Sequence, residues 1–354
     1  MNILLLGEFS GFHKNLKEGL IKSGHTVCLI SSGDGWKKIS GADYNLNKYT
    51  VADSLYKKAI NLIYPFLMLS KYRNYDVVHV INPFLFSNHR FSEFLIKYIK
   101  NNNRSFTMSA CGSDPIYVKK MSLFNYAPLT KSQQINYYNK KELVRFNFIH
   151  NLVDQVIPVM YDYLKGYDND SKCGELIPLP INLDNYQYKD NIINEKFVIY
   201  HGITRANFKG SNYIIKALER LKKTHGDLVE IIVTEKLTFS EYQNVLNRCN
   251  ILIDQCKSQA YGMNAIIGMS MGKVVLSGGE EKAIDCFKYN KSHPVINIVP
   301  NTDQIYKVLK SLLKSPAQIE EIGRQGNLMV KNIHSHLIIA EKYSVCWKNI
   351  LKNK

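Results

Sequence analysis

The chain has 354 residues, of which 45% are hydrophobic and 21% are charged, and this is the composition of a folded globular protein. It is too long for one ordinary hydrophobic core, so we expect two domains. Its formal net charge of +16 indicates nucleic acid, an anionic membrane surface or a phosphate-bearing substrate as partner, unless the charge only keeps the surface soluble.

No apolar run reaches the roughly 20 residues of a membrane helix, and no signal peptide precedes the first predicted strand. We therefore expect a cytoplasmic protein. The cysteines occur singly, without a CxxC pair or histidines at metal-ligand spacing, so we expect neither structural zinc nor disulfides. They are Cys28, Cys111, Cys173, Cys249, Cys256, Cys286 and Cys346.

In the first half of the chain, short apolar runs alternate with helical patterns, which predicts an α/β doubly wound parallel sheet. Helices are predicted at 12–23 and near 88–101. Strands are predicted at 2–7, 25–31, 76–81, 105–110 and 154–160.

Two prolines and an Asn/Asp-rich run at 175–196 interrupt this pattern, and a linker is predicted near 185–195. A second alternating series follows, with helices at about 210–223 and 239–249 and strands at 197–203, 228–235, 251–255, 273–278 and 294–299. The tail from Ser315 is helical, with a break predicted near 334–336. Two similar α/β halves predict a ligand site between them, at the carboxyl ends of the strands.

The loop "HGITRANFKG" (201–210) lies between a predicted strand and a predicted helix. Gly202 permits a close turn, and Arg205 and Lys209 offer two cations that suit a diphosphate. The alternative is that both are solvated loop cations.

The stretch "SQAYGMNAIIGMSMGKVVLSGG" (258–279) contains a short apolar helix. Asn264 is the predicted N-cap and Gly272 the predicted end of this helix, while Gly262 leaves room for a ligand to approach the backbone. Free amides of residues 262–265 would face an anion. The alternative is a buried connecting helix without a ligand.

Together these stretches resemble glycosyltransferase family 4 of the GT-B fold. The first stands where the family has its Gly-Arg…Lys-Gly loop, and the second where it has Glu-Gly-Phe-Gly-Leu-Pro followed by Glu-Ala-Met-Ala-x-Gly-x-Pro-Val. "DVVHVINP" and "SACGSD" are similar to two further family motifs. "LLLGEFSGFHKNLKEGLIKSGH", "SACGSDP" and "DQCKSQAYGMNA" look like members that build bacterial capsule and O-antigen polysaccharides.

The resemblance implies two Rossmann-like domains that face each other across a cleft. Residues 1–188, joined by a returning C-terminal helix at 336–354, would bind the acceptor, and residues 189–335 would bind the nucleotide-sugar donor. The implied activity is transfer of a sugar from a nucleotide-diphosphate-sugar to a glycan acceptor, with retention of configuration. The donor is a co-substrate, and neither a cofactor nor a metal is implied.

The resemblance also implies roles for particular residues. Arg205 and Lys209 would bind and stabilise the leaving diphosphate, and the loop from Gly7 to Gly11 would approach the donor from the other domain. The donor phosphates and sugar would be contacted by the backbone of Tyr261, Gly262, Met263 and Asn264.

The chain departs from the family pattern at three positions. The two family glutamates, one near the donor sugar and one on the ribose, correspond to Gln259 and Ile267, and the family's loop histidine corresponds to Cys111. Glutamine still hydrogen-bonds a sugar hydroxyl, but isoleucine cannot bind a ribose. The alternative function is therefore a catalytically silent GT-B protein that binds a sugar nucleotide or a membrane and supports a partner enzyme.

Other residues could supply the chemistry. Asp114 is a candidate base towards an acceptor hydroxyl, or a helix cap. His13 is a candidate general base, or an exposed first-turn residue. Glu280 and Glu281 could reach the ribose, or could only complement a helix dipole.

Basic and aromatic residues alternate between positions 116 and 150, and a second such segment, "NLIYPFLMLSKYR", spans 61–73. Both suit an anionic membrane surface and hence a lipid-linked acceptor, although surface helices of ordinary proteins have the same composition. Nucleic-acid binding is not expected, because no reading helix or base-stacking motif is found.

Overall fold

The computed structural model of the protein describes residues 1–49, 53–85, 91–289 and 293–354. The predicted start of a helix near 88 lies outside these ranges, and the helix is described from Ser92. Within the described ranges, no helix is both long and apolar enough to cross a bilayer.

The first half of the chain forms a parallel sheet of five strands in the order β2-β1-β3-β4-β5. The strands are β1 (Asn2–Leu6), β2 (Thr26–Ile30), β3 (Val77–Val80), β4 (Ser105–Ala110) and β5 (Gln155–Pro158). Its helices are α1 (Phe12–Lys22), α2 (Leu55–Leu67), α3 (Ser92–Asn101), α4 (Pro115–Lys120), α5 (Lys131–Ile135), α6 (Lys140–Leu152) and α7 (Tyr161–Gly166). The central strands β1 and β3 are buried along almost their whole length because helices cover both faces of the sheet.

The second half forms another parallel sheet, in the order β10-β9-β8-β6-β7. The strands are β6 (Phe197–Ile203), β7 (Val229–Glu235), β8 (Ile251–Ile253), β9 (Val274–Ser277) and β10 (Val295–Asn297). The helices are α8 (Ala206–Lys209), α9 (Ser211–His225), α10 (Phe239–Arg248), α11 (Met263–Ser270), α12 (Glu281–Asp285), α13 (Thr302–Leu313), α14 (Pro316–Ile333) and α15 (His336–Lys352). Both sheets place their first strand between the second and the third, so the halves share one topology, and the α/β fold class is confirmed.

The last helix, α15, crosses back to the first domain, as the resemblance implied. Gly19 of α1 allows this crossing, since a Cβ there would lie 2.2 Å from the carbonyl oxygen of His336. Tyr343 and Trp347 of α15 are fully buried, and their rings pack against His79 of β3.

The first domain is also joined to the end of α14 by backbone hydrogen bonds, because Ile181 pairs with the junction of α14 and α15. The amide of Ile181 donates to the carbonyl of His334, and the amide of His336 donates to the carbonyl of Ile181. This pairing explains the helix break predicted near 334–336. The exact boundary predicted at residues 188 and 189 stays a prediction.

Candidate functional site between the domains

A cavity of about 1250 Å³ separates the carboxyl ends of the two sheets and is lined by both domains. In the first sheet β1 and β3 are neighbours, and the connections that follow them run in opposite directions along the sheet. In the second sheet the same is true of β6 and β8. Ligands of open α/β sheets bind at such positions. The end of β6 and the loops after these strands line the cavity, with residues 9–11, 202–205, 254–255 and 258.

Arg205 and Lys209 both line this cavity, on the loop between β6 and α9. The Lys209 ammonium donates to the carbonyl of Gly202 at 2.9 Å and to Asp254 Oδ1 at 3.1 Å. Its side chain is only 11% exposed, so it is not a freely solvated loop cation. The Arg205 guanidinium lies 5.1 Å from the ring centre of Phe208 and, within the described ranges, makes no ion pair with a carboxylate. Arg205 therefore keeps its donors available to an anion.

Asp254, which the sequence analysis missed, organises this wall of the cavity. It follows β8 directly, and its Oδ1 also accepts from Asn264 Nδ2 at 2.9 Å, while its Oδ2 accepts from Ser277 at 3.3 Å. The signal for it was present, because "ILIDQ" puts an acid at the end of a buried strand beside the switch of strand order.

Helix α11 points its N-terminal end at the cavity. The helix begins at Met263 with Gly262 in the cap position, so the predicted N-cap Asn264 is wrong. Asn264 instead accepts a hydrogen bond from the Tyr242 hydroxyl and donates to Asp254. No side chain caps α11, and a Cβ on Gly262 would meet no atom within 4 Å. The first amides of α11 thus face open space where an anion fits.

Gly272 follows the end of α11 in a left-handed conformation, with φ of +81°. A Cβ there would lie 2.5 Å from the carbonyl oxygen of Lys189. The predicted role of this glycine at the helix end is confirmed.

The opposite wall belongs to the first domain. Gly7 does not line the cavity but makes the turn after β1, with φ of +89°, and a Cβ there would clash with Ile81 at 2.3 Å. Ser10 and Asp34 line the cavity with positive φ, and the Ser10 amide donates to Asp34 Oδ2 at 2.8 Å. Non-glycine residues held in this region store backbone strain, which is concentrated at functional sites.

His13 is neither an exposed first-turn residue nor a cavity base. Its ring is completely buried beneath the loop after β1, with Nδ1 2.9 Å from the carbonyl oxygen of Gly7. Burial lowers the pKa of His13 to about 3, so the ring is neutral. The ring is not among the groups that line the cavity, so the structure does not support the prediction that His13 acts as a base.

Asp114 is a helix cap. Its Oδ1 accepts the amides of Ile116 and Tyr117 at 2.8 and 3.1 Å, and its Oδ2 accepts from the Tyr167 hydroxyl at 2.7 Å. Burial raises the pKa of Asp114 to about 6 despite these bonds. The capping alternative is confirmed, and Asp114 is not among the residues that line the cavity, so the structure does not support its role as a base.

Three predicted donor residues, Gln259, Tyr261 and Glu280, are not among the residues that line the cavity. Gln259 donates from Nε2 to the carbonyl of Tyr126 at 2.8 Å, and Glu280 accepts from the Tyr126 hydroxyl. The Tyr261 hydroxyl lies 2.9 Å from Nε2 of His334. The side chains of these three residues are therefore engaged by other protein groups.

Ile267 and Cys111 line the cavity as apolar groups. The Cys111 thiol donates to the carbonyl of Ile81 at 2.8 Å, and burial raises its pKa well above the usual range. Asp162 is a further residue that the sequence analysis missed. It lines the cavity from α7 and accepts a hydrogen bond from Ser258 of the other domain, and burial raises its pKa to about 7.

The predicted site residues of the second domain that line the cavity include the two cations and the start of α11. They are Gly202, Arg205, Lys209, Gly262, Met263 and Asn264. Within the described ranges no cluster of three or more acidic, histidine or cysteine side chains could hold a metal ion.

No protein-family model matches the sequence, and neither does any curated protein. Solved structures do match it over its whole length. Sucrose-phosphate synthase from Thermosynechococcus elongatus aligns with a TM-score of 0.67 and 14% identity over 100% of both chains. Anabaena HepE in complex with UDP-glucose aligns with a TM-score of 0.64 and 11% identity over 99% of this chain and 100% of that one.

UDP-GlcNAc 2-epimerase from Neisseria meningitidis, bound to UDP-GlcNAc, aligns with a TM-score of 0.51 and 14% identity over 99% of this chain and 100% of that one. At these identities the similarity shows the fold, which is GT-B. Because both a synthase and an epimerase share the fold, the fold by itself does not select the reaction.

Proposed function

We propose that the chain is a glycosyltransferase that moves a sugar from a nucleotide-diphosphate-sugar to a glycan acceptor. The observation that carries the proposal is one wall of the cavity, where Arg205, Lys209 and the N-terminal end of α11 converge. A guanidinium, an ammonium and uncapped helix amides are together the groups that bind a diphosphate. Similar structures that hold UDP and UDP-glucose support this assignment.

In the proposed reaction, an acceptor hydroxyl attacks the anomeric carbon while the bond to the diphosphate breaks. Negative charge develops on the diphosphate, and Arg205 and Lys209 stabilise it there. Lys209 is already positioned by Gly202 and Asp254, so little reorganisation is needed when the charge appears. These two cations would stabilise the negative charge of the leaving diphosphate without a divalent metal.

The carboxylates of the cavity wall support a mechanism without a protein nucleophile. Within the described ranges these are Asp34, Glu142, Asp162 and Asp254, and each accepts a hydrogen bond from protein. Each is therefore held in place by a protein donor, and we assign none of them the role of a nucleophile. This arrangement is compatible with the proposed retention of configuration, in which leaving group and acceptor act on the same face of the donor.

We further propose that the acceptor is lipid-linked, for a bacterial surface polysaccharide, and that the protein contacts the inner face of the cytoplasmic membrane. Some of the aromatic rings between residues 116 and 150, which we expected to contact a membrane, face inward instead. Tyr117 and Phe146 are buried. The second segment, 61–73, fits better, because it exposes Ile63 and Leu67, and the preceding part of α2 also exposes Leu55 and Lys58.

The silent GT-B protein remains the second candidate function. Gln259 faces away from the cavity and Ile267 cannot bind a ribose, so two expected donor contacts are missing. In this alternative the nucleotide sugar is bound but not turned over.

The test is binding and hydrolysis of a panel of UDP-, GDP-, ADP- and dTDP-sugars by the wild type and by Arg205→Ala. We expect the wild type to bind and slowly hydrolyse one class of donor, and Arg205→Ala to lose about 100-fold or more in turnover. Arg248→Ala is the matched control, since Arg248 is an exposed arginine that pairs with Glu230 on the surface.

Each other outcome has a definite meaning. Binding without turnover in the wild type selects the silent protein. No binding of any donor contradicts the proposed function, and equal turnover in wild type and Arg205→Ala shows that the diphosphate does not lie at Arg205.

A further inference from the structure

Aromatic rings from both domains meet at one side of the cavity. Phe84 and Tyr138 stack with ring centres 5.3 Å apart and planes 23° apart. Tyr137 meets Tyr138 edge-on at 4.8 Å and reaches Phe208 of α8, in the other domain, at 6.2 Å. We call Phe84, Tyr137, Tyr138 and Phe208 the aromatic platform; all four line the cavity.

The platform is not simply part of a hydrophobic core. Phe208 and Tyr138 pack at the edge of a small cluster that includes Tyr117 and Met121, but none of the four platform rings is fully buried. Tyr137 is 36% exposed, and its hydroxyl donates to the Ser113 hydroxyl at 3.0 Å. Four partly accessible rings around a cavity leave apolar faces open to a ligand.

Polar groups border the rings. Ser113, Asn82 and Glu142 line the cavity beside them, and Asn82 is fixed by a bond from Nδ2 to the carbonyl of Cys111 at 3.2 Å. An apolar surface with a few fixed polar groups at its edge matches a pyranose ring, which has one face of C–H groups and a rim of hydroxyls. The C–H groups carry slight positive charge and contact the negative face of an aromatic ring.

The platform adjoins the proposed diphosphate site. Phe208 precedes Lys209 in the chain, and the Arg205 guanidinium lies over the Phe208 ring at 5.1 Å. A sugar on the platform would therefore lie next to the sugar of the donor, on the side of the cavity that the first domain forms.

We propose that the aromatic platform is the acceptor subsite and binds a pyranose ring, so that the enzyme recognises the terminal sugar of its acceptor. This inference rests on the proposed function. A hydroxyl of the bound pyranose forms the new bond to the anomeric carbon, the anomeric bond to the diphosphate breaks with its electron pair leaving on the diphosphate, and the hydroxyl proton passes to the departing diphosphate.

Saturation-transfer NMR with methyl glucoside, methyl galactoside and methyl N-acetylglucosaminide tests the subsite, with the full chain in the presence and absence of UDP. We expect saturation of the ring C–H protons of at least one glycoside by the wild type. Tyr138→Ala should weaken its binding about tenfold, and Tyr138→Phe should retain it because the ring remains. Tyr56→Ala, at an exposed tyrosine of α2, is the matched control and should bind as the wild type does.

Donor binding, measured on the same variants by calorimetry, separates this inference from the proposed function. Unchanged donor affinity in Tyr138→Ala also shows that the variant is folded. If the wild type binds a donor but none of the glycosides, or if Tyr138→Ala binds a glycoside as well as the wild type, the acceptor subsite is not on the platform. If the wild type binds no donor, it is the proposed function that fails.

Discussion

His13 shows how burial changes the chemistry of a residue that was a reasonable candidate base. His13 follows the loop after β1, and the neighbouring residues line the cavity. Its own ring points into the protein instead, with its centre 5.4 Å from the centre of the His79 ring. Within the described ranges Nε2 has no hydrogen-bond partner. A buried ring without a second partner cannot hold a proton at neutral pH, so it serves packing.

The pH dependence of stability tests this placement. The unfolded imidazole has a pKa near 6.5, whereas that of the native ring is about 3. Between these values only the unfolded chain binds the proton, so this site lowers the free energy of unfolding as the pH falls from 6.5.

We expect the unfolding free energy of His13→Gln to fall less steeply with acidification, by at most about 1.4 kcal/mol per pH unit. Urea denaturation of both proteins at pH 4.5, 5.5, 6.5 and 7.5 measures the slopes, and the value at pH 7.5 isolates the packing cost of the substitution. Parallel slopes would show that His13 titrates normally and is accessible.

Among the elements, α2 is notable because it exposes several apolar residues, although its Tyr64 and Phe66 pack against the core of the first domain. Pro65 is its one buried residue among those described, while Leu55 and Leu67 are 85% and 73% exposed. Phe66 of α2 packs on Phe94 of α3, which extends the exposed apolar surface. A helix with this pattern next to basic residues is typical of a membrane-surface helix.

Sedimentation with vesicles tests α2. We expect the wild type to bind vesicles that contain phosphatidylglycerol better than vesicles of phosphatidylcholine alone, and Ile63→Glu to lower that binding roughly tenfold. Ile338→Glu, at a 38% exposed position of α15, is the control. A loss in Ile135→Glu instead would assign the contact to the segment 116–150, and no vesicle binding by the wild type would contradict membrane contact altogether.

At the scale of the whole molecule, the main question is which contacts set the relative orientation of the two domains. Besides the two places where the chain itself crosses between the domains, polar contacts join the domains beside the cavity. Asp162 bonds Ser258, and Tyr126 bonds both Gln259 and Glu280. Two of the second-domain partners, Gln259 and Glu280, were predicted to contact the donor. In this structure both bond Tyr126 of the first domain, so the contact between the domains uses Gln259, which stands where the family has a glutamate near the donor sugar, and Glu280, a candidate for the ribose.

Removal of one of these contacts should favour an open cleft. Tyr126→Phe loses the hydrogen bond to Glu280, and a bond to a carboxylate is worth about 1.5 to 3 kcal/mol, so the ratio of closed to open molecules should fall about tenfold or more. Small-angle X-ray scattering of the unliganded protein should then give a larger radius of gyration.

Tyr188→Phe is the matched control, because the Tyr188 hydroxyl bonds Asp190 within the same segment. The same radius of gyration in Tyr126→Phe and the wild type would show that this contact does not set the domain relation.

The sequence by itself determined the two α/β halves, the break before α15 and the loop that carries Arg205 and Lys209. Apolar periodicity and glycine positions are local, so they identify strands, helices and the turns between them without knowledge of partners. The N-terminal end of α11 followed from the same local pattern, although the cap proved to be Gly262 and not Asn264.

Only the tertiary structure decided which side chains face the cavity. Gln259 bonds a residue 133 positions away, Glu280 one 154 positions away, and Asp114 one 53 positions away. Such partners are set by how helices and loops pack in three dimensions, and a one-sequence pattern does not contain that information. The aromatic platform has the same origin, since Tyr137 and Phe208 come from different domains and meet only when the two domains face each other.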